Sequence, residues 1–380
     1  MKKMVSAVVV FTLILAMAVM AGCSKDKQSD NAYEAQESSG IGENATPVQS
    51  TTPEQPADNK RVITDQTGRQ VELPNVVDRV ITTWRPSTSL LFAIGGQEKL
   101  VGADNHSTEN AFLLGIYPEI ADVAKVGNRR GLNVETMVAA QPDVVFVWQG
   151  TDTEPVIAQL ERQGIAAFVL VPESAEDMKQ ATLIMGEVIG HQEQAKEVIA
   201  YYEDTIAMIA GRLAHIPEEE LPVAYMAGSG GLLNTVGGEY YQNSLIVQAG
   251  AKNAASALAG YGWQDVSAEQ LVGWNPEYFF ATQFFDEDLA TELKKQAGLH
   301  TIKAVQDGNV YKFPANITSW DFPEPLSVLG ILWMAKTMHP AEFADLDLQA
   351  EVDDYHKKFY GKTFTELGGN LDESKAVSIR

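Results

Sequence analysis

The chain has 380 residues, with 51 Asp and Glu against 28 Lys and Arg, a formal charge of −23 at pH 7. Such an acidic surface repels nucleic acid and anionic lipid, which excludes both as main partners. Hydrophobic residues make up 45% of the chain, too many for the acidity to mark disorder.

The N-terminus reads as an export signal. Lys2 and Lys3 precede an uncharged, largely apolar run from Val5 to Met20, the n-region and h-region of a secretory signal over residues 1–22. The run is short for a membrane span, which needs about 20 apolar residues. It ends in Met20-Ala21-Gly22-Cys23, which resembles a bacterial lipobox, so cleavage before Cys23 and acylation of its thiol are expected. Cys23 is the only cysteine in the chain and is followed by Ser24-Lys25-Asp26-Lys27, a context no core accepts. Each buried acyl CH₂ contributes about 0.8 kcal/mol to membrane attachment, so several chains on Cys23 would make a firm anchor. Residues 23–60 carry few apolar side chains and three prolines, Pro47, Pro53 and Pro56. They are expected to form an extended, flexible tether.

From Arg61 about 320 residues remain, enough for two cores. Arg79 to Thr83, Leu100 to Ala103, Val144 to Trp148 and Ala166 to Leu170 are short apolar runs bounded by turn residues, and they read as strands buried in a sheet. Residues 61–191 are thus expected to form an α/β lobe. Ala195, Val198, Ile199, Tyr202, Ile206, Ile209 and Leu213 follow one helix face, which predicts a single long helix within 192–216. A second alternating series, with strands at Pro222 to Ala227, Tyr278 to Thr282 and Val310 to Phe313 and a helix near Pro325 to Thr337, makes 217–380 a second α/β lobe. An amphipathic helix near Ala350 to Tyr360 closes the fold, and the polar segment from Leu367 is expected to fray.

An internal repeat joins the two halves. Leu132 to Val147 and Val266 to Ala281 align without a gap: Glu135 with Glu269, Pro142 with Pro276, Asp143 with Glu277. Each reads as a short helix with Glu in its first turn, then Pro and an acid, then a strand. Both glutamates suit helix N-termini on electrostatic grounds alone. The pattern also resembles the class III periplasmic binding proteins, which deliver ferric siderophores, haem, vitamin B12 and some oxyanions to ABC importers. The resemblance runs from Ile63 through Pro74 and Arg79 to Gly361. It implies two α/β lobes joined by one long rigid helix, a ligand cleft between them, a monomer, and docking of Glu135 and Glu269 on an ABC permease with its ATPase. It also implies an extracytoplasmic location, on the periplasmic side or the outer face of the cytoplasmic membrane, with no cofactor of its own.

In this architecture the ligand lies against loops at the carboxyl ends of strands. That rule selects Trp84, Arg85 and Pro86 after the first strand, Asn105 and His106 after the second, Arg129 and Arg130 before the repeat helix, and Trp148 and Gln149 after the next strand. From the second lobe it selects Tyr240, Tyr241, Gln283, Phe284, Trp320 and Asp321. Arg85 offers a fork of donors to an anion and Trp84 a flat apolar wall. One carboxylate at Asp321 among scattered histidines has no metal-ligand spacing, so a bare transition-metal ion is disfavoured. Gly228-Ser229-Gly230-Gly231 lacks the Lys of a phosphate loop, and no serine sits in a nucleophile context, so an anchored enzyme is disfavoured and binding is expected. The segment Lys312 to Trp333, with Tyr240 and Trp263 to Pro276, is similar to a molybdate- and tungstate-binding branch of the same family. A ferric chelate is the leading expectation for the solute, with molybdate or tungstate as the alternative.

Overall fold

A computed structural model describes residues 60–371, apart from 129–130, 151–152, 172, 284, 286–287, 297 and 315. The signal segment, Cys23, the tether up to residue 59, Arg129, Arg130 and Phe284 lie outside the described residues.

Two parallel sheets organise the fold. The first contains β1 (Val80–Thr82), β2 (Leu100–Ala103), β3 (Ala124–Lys125), β4 (Val144–Trp148) and β5 (Ala166–Leu170), in the spatial order β3-β2-β1-β4-β5. The second contains β6 (Val223–Ala227), β7 (Lys252–Asn253), β8 (Tyr278–Ala281) and β9 (Val310–Lys312), in the order β7-β6-β8-β9. Every pairing within these two sheets is parallel. Parallel strands are covered on both faces, so they appear in sequence as unbroken apolar runs; Val144 to Val147 and Ala166 to Leu170 are buried throughout. Each sheet has one point where the chain reverses its direction of winding, between β1 and β4 in the first and between β6 and β8 in the second. Loops leaving adjacent strands diverge there and open a crevice.

Among the helices, α1 (Arg85–Ala93) follows β1, with Pro86 in its first turn, and α2 (Val134–Ala139) precedes β4. α3 (Gln192–Leu213) is the long helix that the periodicity predicts, 22 residues and about 33 Å at 1.5 Å per residue. α4 (Tyr241–Gln248) and α5 (Ala268–Trp274) belong to the second half, α6 (Ser327–Met338) is almost wholly buried, and α7 (Leu348–Tyr360) ends the helical part. α7 reaches back to the first lobe: Tyr360 packs edge-on against Phe112 at 5.0 Å, and Tyr355 against Tyr201 of α3 at 5.1 Å. The segment after it is held through residue 371, so the expected fraying does not begin at Leu367; residues 372–380 lie outside the described residues. Leu367 and Leu371 pack on the core, and Asn316 donates to the Gly368 carbonyl at 2.9 Å while accepting from the Asn370 amide at 3.2 Å. Two apolar side chains spaced among polar ones suffice to dock a short segment that average polarity marks as free.

The repeat is real in backbone geometry. Asn133 caps α2 by accepting the Thr136 amide, and Ser267 caps α5 by accepting the Gln270 amide, with Gln270 completing a capping box. After the helices, Gln141 at φ 48° and Asn275 at φ 46° are the two non-glycine residues with positive φ among the described residues. They occupy the same register. Each ends its helix in the left-handed conformation, and the following proline prevents continuation. The acid after the proline then fastens the neighbouring strand: Asp143 accepts the amides of Asp78 and Arg79 at 2.8 and 2.9 Å, and Glu277 accepts the Val223 amide at 3.3 Å. Pro-acid is therefore a latch for the central strand of each sheet.

Candidate functional site

The crevices of the two sheets face each other, and the loops leaving them meet. From β1 come Trp84 and Arg85; from β4 come Trp148 and Gln149, one strand away. The rings of Trp84 and Trp148 lie 3.7 Å apart between centroids, tilted by 43°. The second lobe answers with Ser229 after β6, Thr282 and Gln283 after β8, and Ser319 to Glu324 after β9. Phe322 sets its ring edge against Trp84 at 5.9 Å, and this pair divides the space between the lobes in two.

On one side lies a cavity of about 340 Å³ whose walls include Trp84, Trp148, Gln149 and Glu173 from the first lobe and Tyr240, Tyr241, Gln242, Tyr261, Trp263 and Asp321 from the second. Tyr240 stands edge-on to Tyr261 at 4.8 Å and to Trp263 at 6.1 Å. Partial burial, and then the Glu173 carboxylate across the cleft, pushes the Tyr261 hydroxyl up although the side chain is half exposed. The Tyr241 hydroxyl donates to Ser327 Oγ at 2.6 Å, and burial raises it far above the ordinary range. Asp321 is 2% exposed. Burial pushes its carboxyl up to about 6, although Arg85 pulls the other way.

On the other side lies a cavity of about 520 Å³ lined by Trp84, Arg85, Pro86, His106, Gln283 and Ser319, together with Asp104, Glu109, Asn110, Ala111, Asn316, Ile317 and Phe322. Arg85 spans the lobes here. Its Nη2 donates to Ser319 Oγ at 2.9 Å, Nη1 lies 3.6 Å from Glu324 Oε1, and the guanidinium sits 5.1 Å from the centre of the Phe322 ring. Ser319 in turn donates to Gln283. Burial raises the Glu324 carboxyl, and Arg85 opposes that rise. The fork that sequence offers to an anionic ligand is thus turned onto the second lobe in this arrangement.

The structure brings Trp84, Arg85, Pro86, His106, Trp148, Gln149, Tyr240, Tyr241, Gln283 and Asp321 to the walls of the two cavities. Two candidates are not on the walls of either cavity. Trp320 is a core residue, fully buried against Phe364 at 5.6 Å; a Cβ on Gly330 of α6 would come within 2.4 Å of its carbonyl, so helix and loop are in direct contact there. Asn105 spends its side-chain oxygen on the Gly127 amide at 3.2 Å, tying two loops of the first lobe together. Sequence reasoning missed Glu173, Gln242, Tyr261, Ser319, Phe322 and Glu324. Glu173 follows β5 and obeys the same strand-end rule, and Ser319, Phe322 and Glu324 share the loop after β9 with the selected Trp320 and Asp321; Gln242 and Tyr261 depend on tertiary contact.

Glu135 and Glu269 are exposed on the first turns of α2 and α5. Hydrogen bonds from its own amide and from Ser267 hold the Glu269 carboxyl below the usual range. Among the described residues no group of three or more His, Cys, Asp or Glu side chains is gathered to hold a metal ion, and no helix is long and apolar enough to cross a membrane.

Residues 80–317 match the periplasmic binding protein family. The chain belongs to that family. It is an extracytoplasmic solute-binding protein of the ABC-transport kind, in a family of transport proteins rather than enzymes. The molybdate-binding protein MolA of Haemophilus influenzae is 26% identical over 326 residues, 80% of this chain and 92% of MolA. The structure of MolA with molybdate superposes with a TM-score of 0.70, covering 80% of this chain and 98% of that one at 25% identity. A periplasmic solute-binding protein from Veillonella parvula gives a TM-score of 0.71 at 26% identity, covering 83% and 98%. A vitamin B12-binding protein of Photorhabdus laumondii is 26% identical over 199 residues, 52% of this chain and 68% of the relative. Two α/β lobes are the family's architecture, in agreement with the two parallel sheets.

Proposed function

We propose that this protein captures a metal-containing solute between its lobes and hands it to the permease and ATPase of an ABC importer, held to the membrane by lipid on Cys23. The reading divides the folded chain into lobes at 61–191 and 217–380 about a connecting helix within 192–216. Its main support is the aromatic cavity, to which the first lobe contributes two tryptophans at the switch point of its sheet and the second lobe contributes Tyr240, Tyr261 and Trp263. Flat rings contributed by both lobes suit a planar part of a chelate, a ferric siderophore complex above all. Exposed Glu135 and Glu269, in matched positions of the two lobes, are the residues proposed to dock on the permease. A second reading, molybdate or tungstate, is favoured by the likeness to MolA and by the polar cavity around Arg85, Ser319 and Gln283, since a small oxyanion needs a few N–H and hydroxyl donors.

A thermal-shift panel of the full chain against ferric siderophores, haem, cobalamin, molybdate and tungstate tests the reading. A solute at 100 times its Kd stabilises by about 2.7 kcal/mol, a plain shift in melting temperature. A shift with a chelate supports the leading reading, a shift with molybdate or tungstate alone supports the second, and no shift with any member overturns both.

A further inference from the structure

The two cavities differ in chemistry, and the aromatic one is built for donors. Among the described residues its charged wall residues are Glu173 and Asp321, both acidic, and no Arg, Lys or His lines it. The buried Asp321 carboxylate has no hydrogen-bond partner on Oδ1, and Gln242, 7% exposed, has none on Oε1. The orientation of Gln242 is fixed: its Nε2 donates to the Asp321 carbonyl at 3.0 Å, and a carbonyl accepts only, so the amide oxygen is the atom left over. Buried acceptors without donors are costly, and a ligand that brings N–H groups relieves the cost. An oxyanion brings acceptors only. Arg85 does not reverse the balance, because its donors are directed to Ser319 and Glu324 beyond the Trp84–Phe322 divide.

The rings add a second, independent preference. Trp84 and Trp148 stand on the first lobe, and Tyr240, Tyr261 and Trp263 on the second. Aromatic faces attract ammonium and guanidinium groups, most strongly where water is excluded. At about 340 Å³ the cavity is at the small end of ligand-sized pockets, roughly 300–1,000 Å³, so it suits one arm of a solute. Resting on the capture role proposed above, we infer that the aromatic cavity receives a positively charged, N–H-bearing group of the solute, held by Asp321 and Gln242 between the rings of the two lobes.

Benzamidine and benzoate test this, being planar, equal in size and opposite in charge. Each is titrated into the full chain at neutral pH and followed by tryptophan fluorescence, with molybdate and a ferric siderophore titrated in parallel. Benzamidinium is expected to bind at least about tenfold more tightly than benzoate, a difference of about 1.4 kcal/mol, and Asp321→Asn is expected to erase the preference. Tyr261→Ala serves as a second variant, because the side chain is 53% exposed and its loss leaves the fold standing; it is expected to weaken benzamidinium and not benzoate. Equal binding of the two probes, or a folded Asp321→Asn protein that keeps the preference, overturns the inference. If molybdate or the ferric siderophore still binds in that case, the capture role survives and only the cationic site falls. If no solute binds, the capture role fails with it.

Discussion

The two lobes are alike where they face away from the cleft and unlike where they meet across it. In both, a capped helix runs into a left-handed residue, a proline and an acid that latches the neighbouring strand, at Gln141 to Asp143 and at Asn275 to Glu277. At the cleft the first lobe contributes Arg85 and two tryptophans, whereas the second contributes Asp321, Glu324 and a tyrosine-rich wall. Repetition has kept what makes a sheet and a helix, and what is exposed on Glu135 and Glu269, while at the cleft Arg85 of the first lobe meets Glu324 of the second. The lobes therefore hold each other through a charged contact in the region where a solute must also enter.

The strongest way to break that contrast is Arg85→Ala. Removing one partner of a buried ion pair leaves the other uncompensated, at about 3–5 kcal/mol, and Glu324 is among the most buried carboxylates of the described residues. Urea unfolding at neutral pH should show a loss of that order. A loss under about 1 kcal/mol would mean that Glu324 is already neutral and that charge complementarity does not join the lobes.

A smaller effect comes from Asp321→Asn. Burial lifts the folded carboxyl to about 6 from an ordinary 3.8, so the folded protein takes up this proton before the unfolded chain does. The charged form destabilises the fold fully above about 6, and that burden disappears as pH falls toward the unfolded value. Two pKa units correspond to about 3 kcal/mol, so the asparagine variant should be more stable at neutral pH by up to that amount. Glu324 and Asp104, also raised by burial, act in the same direction, and Arg85 opposes the rise at Asp321 and Glu324. His356 acts oppositely: burial depresses it from 6.5 to about 4, so its neutral form supports the fold at neutral pH and that support is lost as pH falls through this range. With Asp321 gone, acid unfolding between roughly pH 6 and 4 should steepen. An unchanged pH profile of melting temperature would place Asp321 in a wetter setting than the cleft provides.

Much of this was legible in the residues. Buried parallel strands leave runs such as Val144 to Trp148, and a two-sided helix leaves the spacing from Ala195 to Leu213, so both sheets and α3 could be placed from pattern alone. The repeat was visible because its helix end, a left-handed residue followed by Pro and an acid, is a local pattern, although the bonds those acids make reach amides far away in sequence. Half of the cleft followed from one rule, that residues just beyond a strand's carboxyl end face the crevice, which reaches Trp84, Arg85, Trp148, Gln149 and Gln283. Tyr261 and Trp263 lie in an excursion between β7 and α5, and Gln242 within a helix; only the folded chain sets them beside Trp84. Trp320 shows the limit most clearly: within one loop Trp320 turns into the core and Asp321 to the cavity, and composition cannot tell such neighbours apart.

The central claim, capture in the cleft followed by delivery through the matched outer faces, is tested most directly by measuring solute uptake and solute binding for the Glu135→Ala, Glu269→Ala double variant. Both side chains are exposed, so the account predicts an unchanged melting temperature, unchanged binding of the solute, and abolished uptake through the importer. Uptake at the wild-type rate, or binding lost together with uptake, would contradict it.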